Sequence, residues 1–166
     1  MRAKLIIEGK EFPIEIQDPE LEKMLKPTKK TGYERLNCGM FYAVDSDNDI
    51  RMGNEINGDY TQKLYESANY YSEKIVAENN ARADKLMRQL RRFAVEHRNR
   101  NIDWCKNTCK YYVFYDHRQN RLDVIDNQSH ETYGVIYFDS EEIANFAIET
   151  FHDELIWYFT EYKDSL

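Results

Sequence analysis

The chain has few of the residues that mark linkers, disulfide frameworks or membrane spans. Its 166 residues include only three prolines, six glycines and three cysteines. So few Pro and Gly residues exclude long linkers and low-complexity tracts. The odd number of cysteines argues against a secreted disulfide framework and favours a reducing cytoplasm. No apolar run approaches the roughly 18–20 residues that span a bilayer, and the charged start lacks a signal peptide's apolar core, so we expect no membrane association.

The sequence also lacks the local motifs of common catalytic, cofactor and metal sites. It contains no G-x-S-x-G, no P-loop, no G-x-G-x-x-G and no H-E-x-x-H. The acidic run at residues 45–49 begins like a calcium loop, but Ile50 and Ile56 stand where that loop needs Gly and a bidentate Glu. Cys105 and Cys109 lack the C-x2-C spacing of structural zinc sites. We therefore expect no catalytic residues, no metal and no cofactor, and a protein that is not an enzyme.

What the chain does contain is enough apolar material for a folded core. Hydrophobic residues make up 42% of it and aromatic residues 14%, which excludes a disordered chain. Lys and Arg number 23 against 30 Asp and Glu, which gives a formal net charge of -7. At about 100–200 residues per domain, the length predicts one domain or two very small ones.

Alternating apolar and polar residues predict three β-hairpins and one further strand. The predicted hairpin strands are residues 3–9 with 11–16, 40–44 with 50–53, and 111–116 with 121–126. The further strand is YGVIYF at residues 133–138. A short amphipathic stretch at residues 21–25 precedes a polar connector that ends at residue 35.

Two segments have helical periodicity. Residues 73–98 place Leu86, Leu90 and Phe93 on one stripe and contain neither Gly nor Pro, and Ser72 is the predicted N-cap. The second predicted helix covers residues 141–162, with Asp139 as its cap and acidic residues in its first turn.

Both helices follow similar strand residues, because residues 69–77 resemble residues 136–144 without a gap. A one-residue gap after Tyr71 gives an alternative alignment. The predicted fold class is therefore α+β, with antiparallel β-hairpins packed with two long amphipathic helices, and a duplicated hairpin–strand–helix unit is one open alternative. The predicted boundaries within one compact domain are residues 1–35 for the N-terminal hairpin and connector, 36–100 for the first unit and 101–166 for the second.

The two predicted helices carry opposite charge. Residues 80–100 hold seven basic side chains against two acidic ones, and residues 139–166 hold eight acidic side chains against one basic. The basic face is a solvated helix face, a contact with a protein partner or second subunit, or a nucleic-acid surface. The acidic face is the polar side of a soluble helix, holds the two helices together within one chain, pairs them in a homodimer, or presents an acidic surface that mimics nucleic acid. The candidate partner-binding residues are Lys85, Arg88, Arg91, Arg92, Glu149, Asp153 and Glu154.

Several segments resemble those of small, uncharacterised accessory proteins of prophages and mobile elements of Gram-positive bacteria. The resemblance covers most of the chain from about residue 33. It is carried by Tyr70-Tyr71-Ser72, ARADKLMRQLRRFAVEHR, FYAVDSDNDI, Ile102-Asp103-Trp104, KYYVFYDHRQNRL, YGVIYFDSEEIANFAI and WYFTEYKDSL. The chain departs from that pattern at Ala68 and at Ile75-Val76, where relatives have Gly and paired Glu.

The resemblance implies a context and no active site. It implies a phage-encoded protein in the cytoplasm of the host bacterium. We expect a non-enzymatic interaction protein that inhibits a host defence effector, in particular a CRISPR–Cas nuclease, as anti-CRISPR proteins do. The alternative is a nucleic-acid-binding accessory protein of phage replication or recombination that uses the basic helix.

Overall fold

The computed structural model describes residues 2–7, 10–15 and 31–162, in which two hairpins are followed by two helices, a further hairpin and a last helix. The strands are β1 (Arg2–Ile7), β2 (Lys10–Glu15), β3 (Met40–Val44), β4 (Ile50–Asn54), β5 (Lys110–Asp116) and β6 (Arg121–Asn127). The helices are α1 (Asp59–Glu66), α2 (Lys74–His97) and α3 (Glu141–Trp157), followed by a π-helical segment (Tyr158–Tyr162). The α+β class is confirmed. The amphipathic stretch predicted at residues 21–25 lies outside the described residues.

The strands form three antiparallel two-stranded sheets, β1–β2, β3–β4 and β5–β6, as the alternation predicted. We call β1–β2 the N-terminal hairpin, β3–β4 the first hairpin and β5–β6 the second hairpin. The acidic turn between β3 and β4 is held by Asp45, whose carboxylate accepts from the amides of Asp47 and Asp49 at 2.9 and 3.0 Å. Arg51 Nε donates to the same carboxylate at 2.7 Å and lowers the pKa of Asp45. The acidic run therefore closes a hairpin, as expected.

The further strand predicted at residues 133–138 is wrong, except at its last residue. Phe138 pairs with Tyr111 through two backbone hydrogen bonds of 2.9 and 2.7 Å. Upstream, Gly134 has a φ of 76°, and the Val135 amide donates to the Thr132 carbonyl, so the chain turns where the strand was expected. Only a single bridge forms.

Helix α2 matches its prediction within one residue at each end and is covered on two opposite sides. At about 100° per residue, Ala81 and Arg88 lie about 20° apart, whereas Leu86 and Arg88 lie about 160° apart. On the Ala81 side, α2 packs on β3 and β4, and Asn48 Nδ2 donates to the Ala81 carbonyl at 3.1 Å. On the Leu86 side, α2 joins the main core. One helix thus connects the first hairpin to the rest of the fold.

The main core joins α2 and α3 to the second hairpin, β5–β6. Its buried members are Leu86, Leu90, Phe93, Phe138, Ala144, Ala147 and Leu155. A second, smaller core contains Phe41, Ala43 and Tyr70, with Leu64 of α1 packed against it. Helix α1, which the sequence did not predict, therefore packs on this small core through Leu64.

Both predicted N-caps are wrong. Glu73 occupies the N-cap position of α2 without a capping hydrogen bond from its side chain, and the Ser72 hydroxyl instead donates to Glu34 Oε2 at 2.9 Å. Helix α3 is capped by Ser140, whose hydroxyl accepts from the Ile143 amide at 3.3 Å. Asp139 is buried and accepts the amides of residues 99 and 100, both at 2.8 Å. These amides lie just past the end of α2, where the chain becomes extended at Arg98, so the carboxylate joins this end of the helix to the start of α3.

The second long helix is not continuous. Phe151 has a non-helical φ of -116° and ψ of 21°, and from Tyr158 onwards the backbone is π-helical. The prediction of two long helices therefore reduces to one uninterrupted helix of 24 residues and one of 17 residues with a break inside it.

Candidate macromolecular interface

Four of the predicted partner-binding residues form an exposed basic face on α2: Lys85, Arg88, Arg91 and Arg92. Arg92 lies 3.8 Å from Glu96 with 71% of its side chain exposed, and Arg88 donates to Asn48 Oδ1. Within residues 31–162, no carboxylate lies within 4 Å of Lys85, Arg88 or Arg91. The positive charge of this face is therefore available to a partner.

Two other arginines of the same region are used by the fold. Arg82 donates through Nε and a terminal nitrogen to both oxygens of Glu154, at 2.8 and 3.0 Å. Its guanidinium also lies 3.9 Å from the centre of the Trp157 ring. Arg100 donates to the carbonyl oxygens of Cys109 and Asp139 at 3.2 and 2.9 Å. The excess of basic residues at 80–100 is thus divided between structural contacts and a free face.

The acidic residues divide in the same way. Glu149 and Asp153 are exposed on α3, and the Asp153 side chain is entirely open to solvent. Glu154 instead forms the ion pair with Arg82. Opposite charges therefore do hold the two helices together within one chain, at this one pair. The expected role of Glu154 in a partner contact stays a prediction and competes with this pair.

An aromatic cluster lies beside β5, where sequence spacing gave no indication of it. Tyr137 packs edge-on against Trp104 and Tyr112, with ring centres 4.9 and 5.5 Å apart. Lys110 is 1% exposed, and its ammonium group lies 4.9 Å from the Trp104 ring centre. It also donates to the carbonyls of Lys106 and Gln128 at 2.9 and 3.1 Å. These contacts satisfy the buried cation without a carboxylate.

The first hairpin presents exposed apolar side chains. Met52 pairs with Tyr42, so it lies on the same face of the hairpin as Met40, its diagonal neighbour. Met40 is 53% and Met52 71% exposed. Flexible methionines are common in contact surfaces that adapt to a partner. This face is a second place at which a protein partner can bind.

Other candidate chemistry finds little geometric support in the described part of the chain. Across residues 31–162, no group of three or more His, Cys, Asp or Glu side chains is placed to hold a metal ion. Cys38 and Cys105 are exposed, and Cys109 Sγ accepts from the Gln128 side-chain amide at 3.2 Å. Among the helices of the described ranges, none combines the length and apolar character needed to cross a membrane.

No family model, curated protein or solved structure matches this chain. The resemblance to prophage accessory proteins therefore stays a prediction. The geometry described above, rather than a relative, has to carry any functional assignment.

Proposed function

We propose that this protein is a phage-encoded, non-enzymatic interaction protein that acts in the bacterial cytoplasm. It binds a host defence effector and inhibits it, and a CRISPR–Cas nuclease is the expected target. The observation that carries the proposal is the exposed basic face of α2, formed by Lys85, Arg88, Arg91 and Arg92. The phage origin rests on the sequence resemblance alone.

A charged face of this kind suits a protein–protein contact. Complementary charge accelerates encounter and rejects wrong partners more than it adds affinity. The chain supplies both signs, since Glu149 and Asp153 are exposed on α3 while the basic face lies on α2. The exposed methionines of the first hairpin add the apolar contact area that a stable interface requires.

The same basic face supports a second candidate, a nucleic-acid-binding accessory protein of phage replication or recombination. Arginine pairs recognise phosphate well, and the affinity would fall steeply with salt. The two candidates differ in whether nuclease treatment removes the partner.

We also propose that the chain contains a duplicated hairpin–strand–helix unit. The backbone bridges at Tyr71 and Phe138 are 67 residues apart, as are the first residues of α2 and α3. Ala77 and Ala144, fully buried near the starts of those helices, share this offset. The constant offset supports the ungapped alignment over the gapped one.

The test is a tagged pull-down from host lysate with and without nuclease, read by mass spectrometry. One variant reverses Lys85, Arg88, Arg91 and Arg92 to Glu, and a second changes Glu149 and Asp153 to Lys. A control with the same net charge as the first reverses four exposed cations that lie off α2 and outside the turn held by Arg51: Lys63, Lys106, Arg118 and Arg121. We expect one stoichiometric host protein that survives nuclease and is lost with the first variant but not with the control.

Three outcomes would contradict the inhibitor proposal. Loss of all bound material after nuclease would favour the nucleic-acid candidate. Retention of the partner by both reversed variants would remove the charged helices from the interface. A dimeric mass by light scattering that becomes monomeric in the reversed variants would mean that these faces pair two copies of the chain.

A further inference from the structure

We propose that the C-terminal half of α2 and the loop around Tyr133 together form a binding surface for single-stranded nucleic acid. Binders of this class combine cations that follow the phosphate backbone with aromatic rings on which bases stack. The aromatic residue among the cations of α2, Phe93, is buried in the main core and cannot stack on a base. The fold supplies one from a distant segment, and this inference does not rest on the proposed inhibitor function.

Two cavities show that this segment runs beside α2. Residues 134–136 line an apolar cavity of about 230 Å³ together with Met87 and Leu90. Tyr137 lines a second cavity, of about 290 Å³, together with Arg98. The segment therefore follows the helix from the turn of Met87 to that of Arg98, which places Tyr133 at one end of this stretch.

Two cations of α2 flank the segment. Arg91 follows Met87 by four residues, and Arg98 follows Ala94 by four, so each pair is adjacent on the helix surface at about 5–6 Å between Cβ atoms. Met87 and Ala94 line the two cavities described above. Both arginines are exposed, and neither has a carboxylate within 4 Å among the described residues.

The Tyr133 ring is presented to solvent from a loop with a defined shape. Its side chain is fully exposed and has neither a hydrogen bond nor a ring contact within residues 31–162. The loop beneath it is held, because the Thr132 amide donates to the Tyr137 hydroxyl at 2.9 Å. Gly134, with a φ of 76°, supplies the turn directly after it. An aromatic ring held this way offers both faces to a base.

The two acidic side chains near the proposed binding surface, Asp139 and Glu131, do not prevent a phosphate from binding there. Asp139 lines the cavity beside Arg98, but it is 4% exposed and its Oδ2 is occupied by the amides of Asn99 and Arg100. Glu131 is exposed in the same loop as Tyr133 and would repel phosphate weakly. The geometry favours single strands, because the bases of a duplex are stacked inside and cannot reach the Tyr133 ring.

The test is fluorescence polarisation with labelled dT15 and rU15 at 50 mM salt. Stacking on one ring is worth about 1–3 kcal/mol per base, so Tyr133→Ala should weaken binding by roughly 5- to 150-fold. The matched control is Tyr60→Ala, which removes another exposed tyrosine, 65% exposed, from α1 and should leave binding unchanged. Each of Arg91→Gln and Arg98→Gln should reduce the slope of log affinity against log salt by about 0.7. Glu131→Gln should strengthen binding.

Three results would overturn the proposal. The first is no measurable binding of either oligonucleotide at 50 mM salt. The second is equal affinity of Tyr133→Ala and Tyr60→Ala, which would remove the stacking contact. The third is duplex DNA binding as tightly as dT15. Because Tyr133→Ala leaves every cation in place, it should weaken the binding of single strands without affecting the binding of the protein partner proposed above. The two proposals can therefore fail independently.

Discussion

Arg82 contacts two side chains of α3, and its removal provides a direct test of how the two helices are joined. Its guanidinium donates to both oxygens of Glu154 and lies 3.9 Å from the centre of the Trp157 ring. Arg82 and Glu154 are each a little over 40% exposed, at 44% and 42% of their side chains, so solvent screens the pair only in part. We call these three residues the Arg82 clasp.

The loss of folding stability expected on removing Arg82 follows from its two contacts, the ion pair with Glu154 and the cation–π contact with Trp157. An exposed ion pair with good two-point geometry contributes up to about 1 kcal/mol. A partly exposed cation–π contact adds about 0.5–1 kcal/mol. Arg82→Ala should therefore lower the free energy of unfolding by about 1–2 kcal/mol, which for a chain of this size lowers the melting temperature by roughly 2–8 °C.

A double-mutant cycle separates the ion pair from the rest. Urea unfolding of Arg82→Ala, Glu154→Gln and the double variant should give a coupling free energy of about 0.5–1 kcal/mol. Arg82→Lys keeps the charge but loses the two-point geometry, so it should fall between wild type and Arg82→Ala. Arg92→Ala is the control, because its contact with Glu96 is longer, at 3.8 Å, and more exposed. A coupling near zero, or equal effects of Arg82→Ala and Arg92→Ala, would refute the clasp.

Two further predictions concern the segment that leads into the first hairpin. Gly32 has a φ of 83°, and a Cβ there would overlap the Val76 side chain, so Gly32→Ala should cost about 1–3 kcal/mol in urea unfolding. Gly58, the N-cap residue of α1, has no positive φ, and a Cβ there would lie 3.6 Å from Ile56, so Gly58→Ala should cost less, about 0.5–1 kcal/mol, because Ala is the poorer N-cap. The Thr31 amide is the main donor that lowers the pKa of Glu34 to about 2, from 4.5 in the unfolded chain. The stability that the lowered pKa of Glu34 contributes is present above about pH 4.5 and is lost as the pH falls towards 2. In Glu34→Gln, the free energy of unfolding measured by urea titration should therefore fall less between these two pH values than in the wild type. An unchanged pH dependence would contradict this prediction.

Elements with strong local patterns could be predicted from the sequence. The hairpins show an alternation of period two, and α2 has a long stripe without Gly or Pro. Helix α1 was not predicted because it is only eight residues long and contains a single aliphatic residue, Leu64. It forms because Thr61 is buried and donates to Glu55 Oε1 at 2.7 Å, and because Leu64 packs on the small core. That environment is tertiary, and no local signal specifies it.

The helix caps show why the remaining details could not be predicted. Ser72 is a good local N-cap, but Glu34 lies 38 residues earlier and takes its hydroxyl. Asp139 likewise leaves its predicted cap position to accept amides about 40 residues earlier in the chain. Local propensity gives the residue types that can cap, whereas the long-range fold decides which partner each one meets.

In the candidate surface, too, the sequence gives the residue types, whereas the fold decides which cations are held by contacts and which are available to a partner. All seven basic residues at 80–100 look alike in sequence, yet Arg82 and Arg100 are held by contacts with α3 and with backbone carbonyls. Lys85 and Arg91 have no such contacts among the described residues. The partner of Arg82 is 72 residues away, so charge counting alone could not separate structural from available cations.

The two-sided packing of α2 explains why its cations are exposed where they are. Up to Ala81 the helix has the first hairpin on one side, and from Leu86 it has the main core on the other. Beyond Arg88, which still reaches Asn48 at the hairpin turn, the side away from the core faces solvent. A helix of 24 residues that served only to cover one hairpin would be longer than needed. The second half of α2 exposes its charged side chains because the helix extends beyond the first hairpin to reach the second hairpin, β5–β6. The surface available to a partner is therefore a direct consequence of one helix joining the two hairpins.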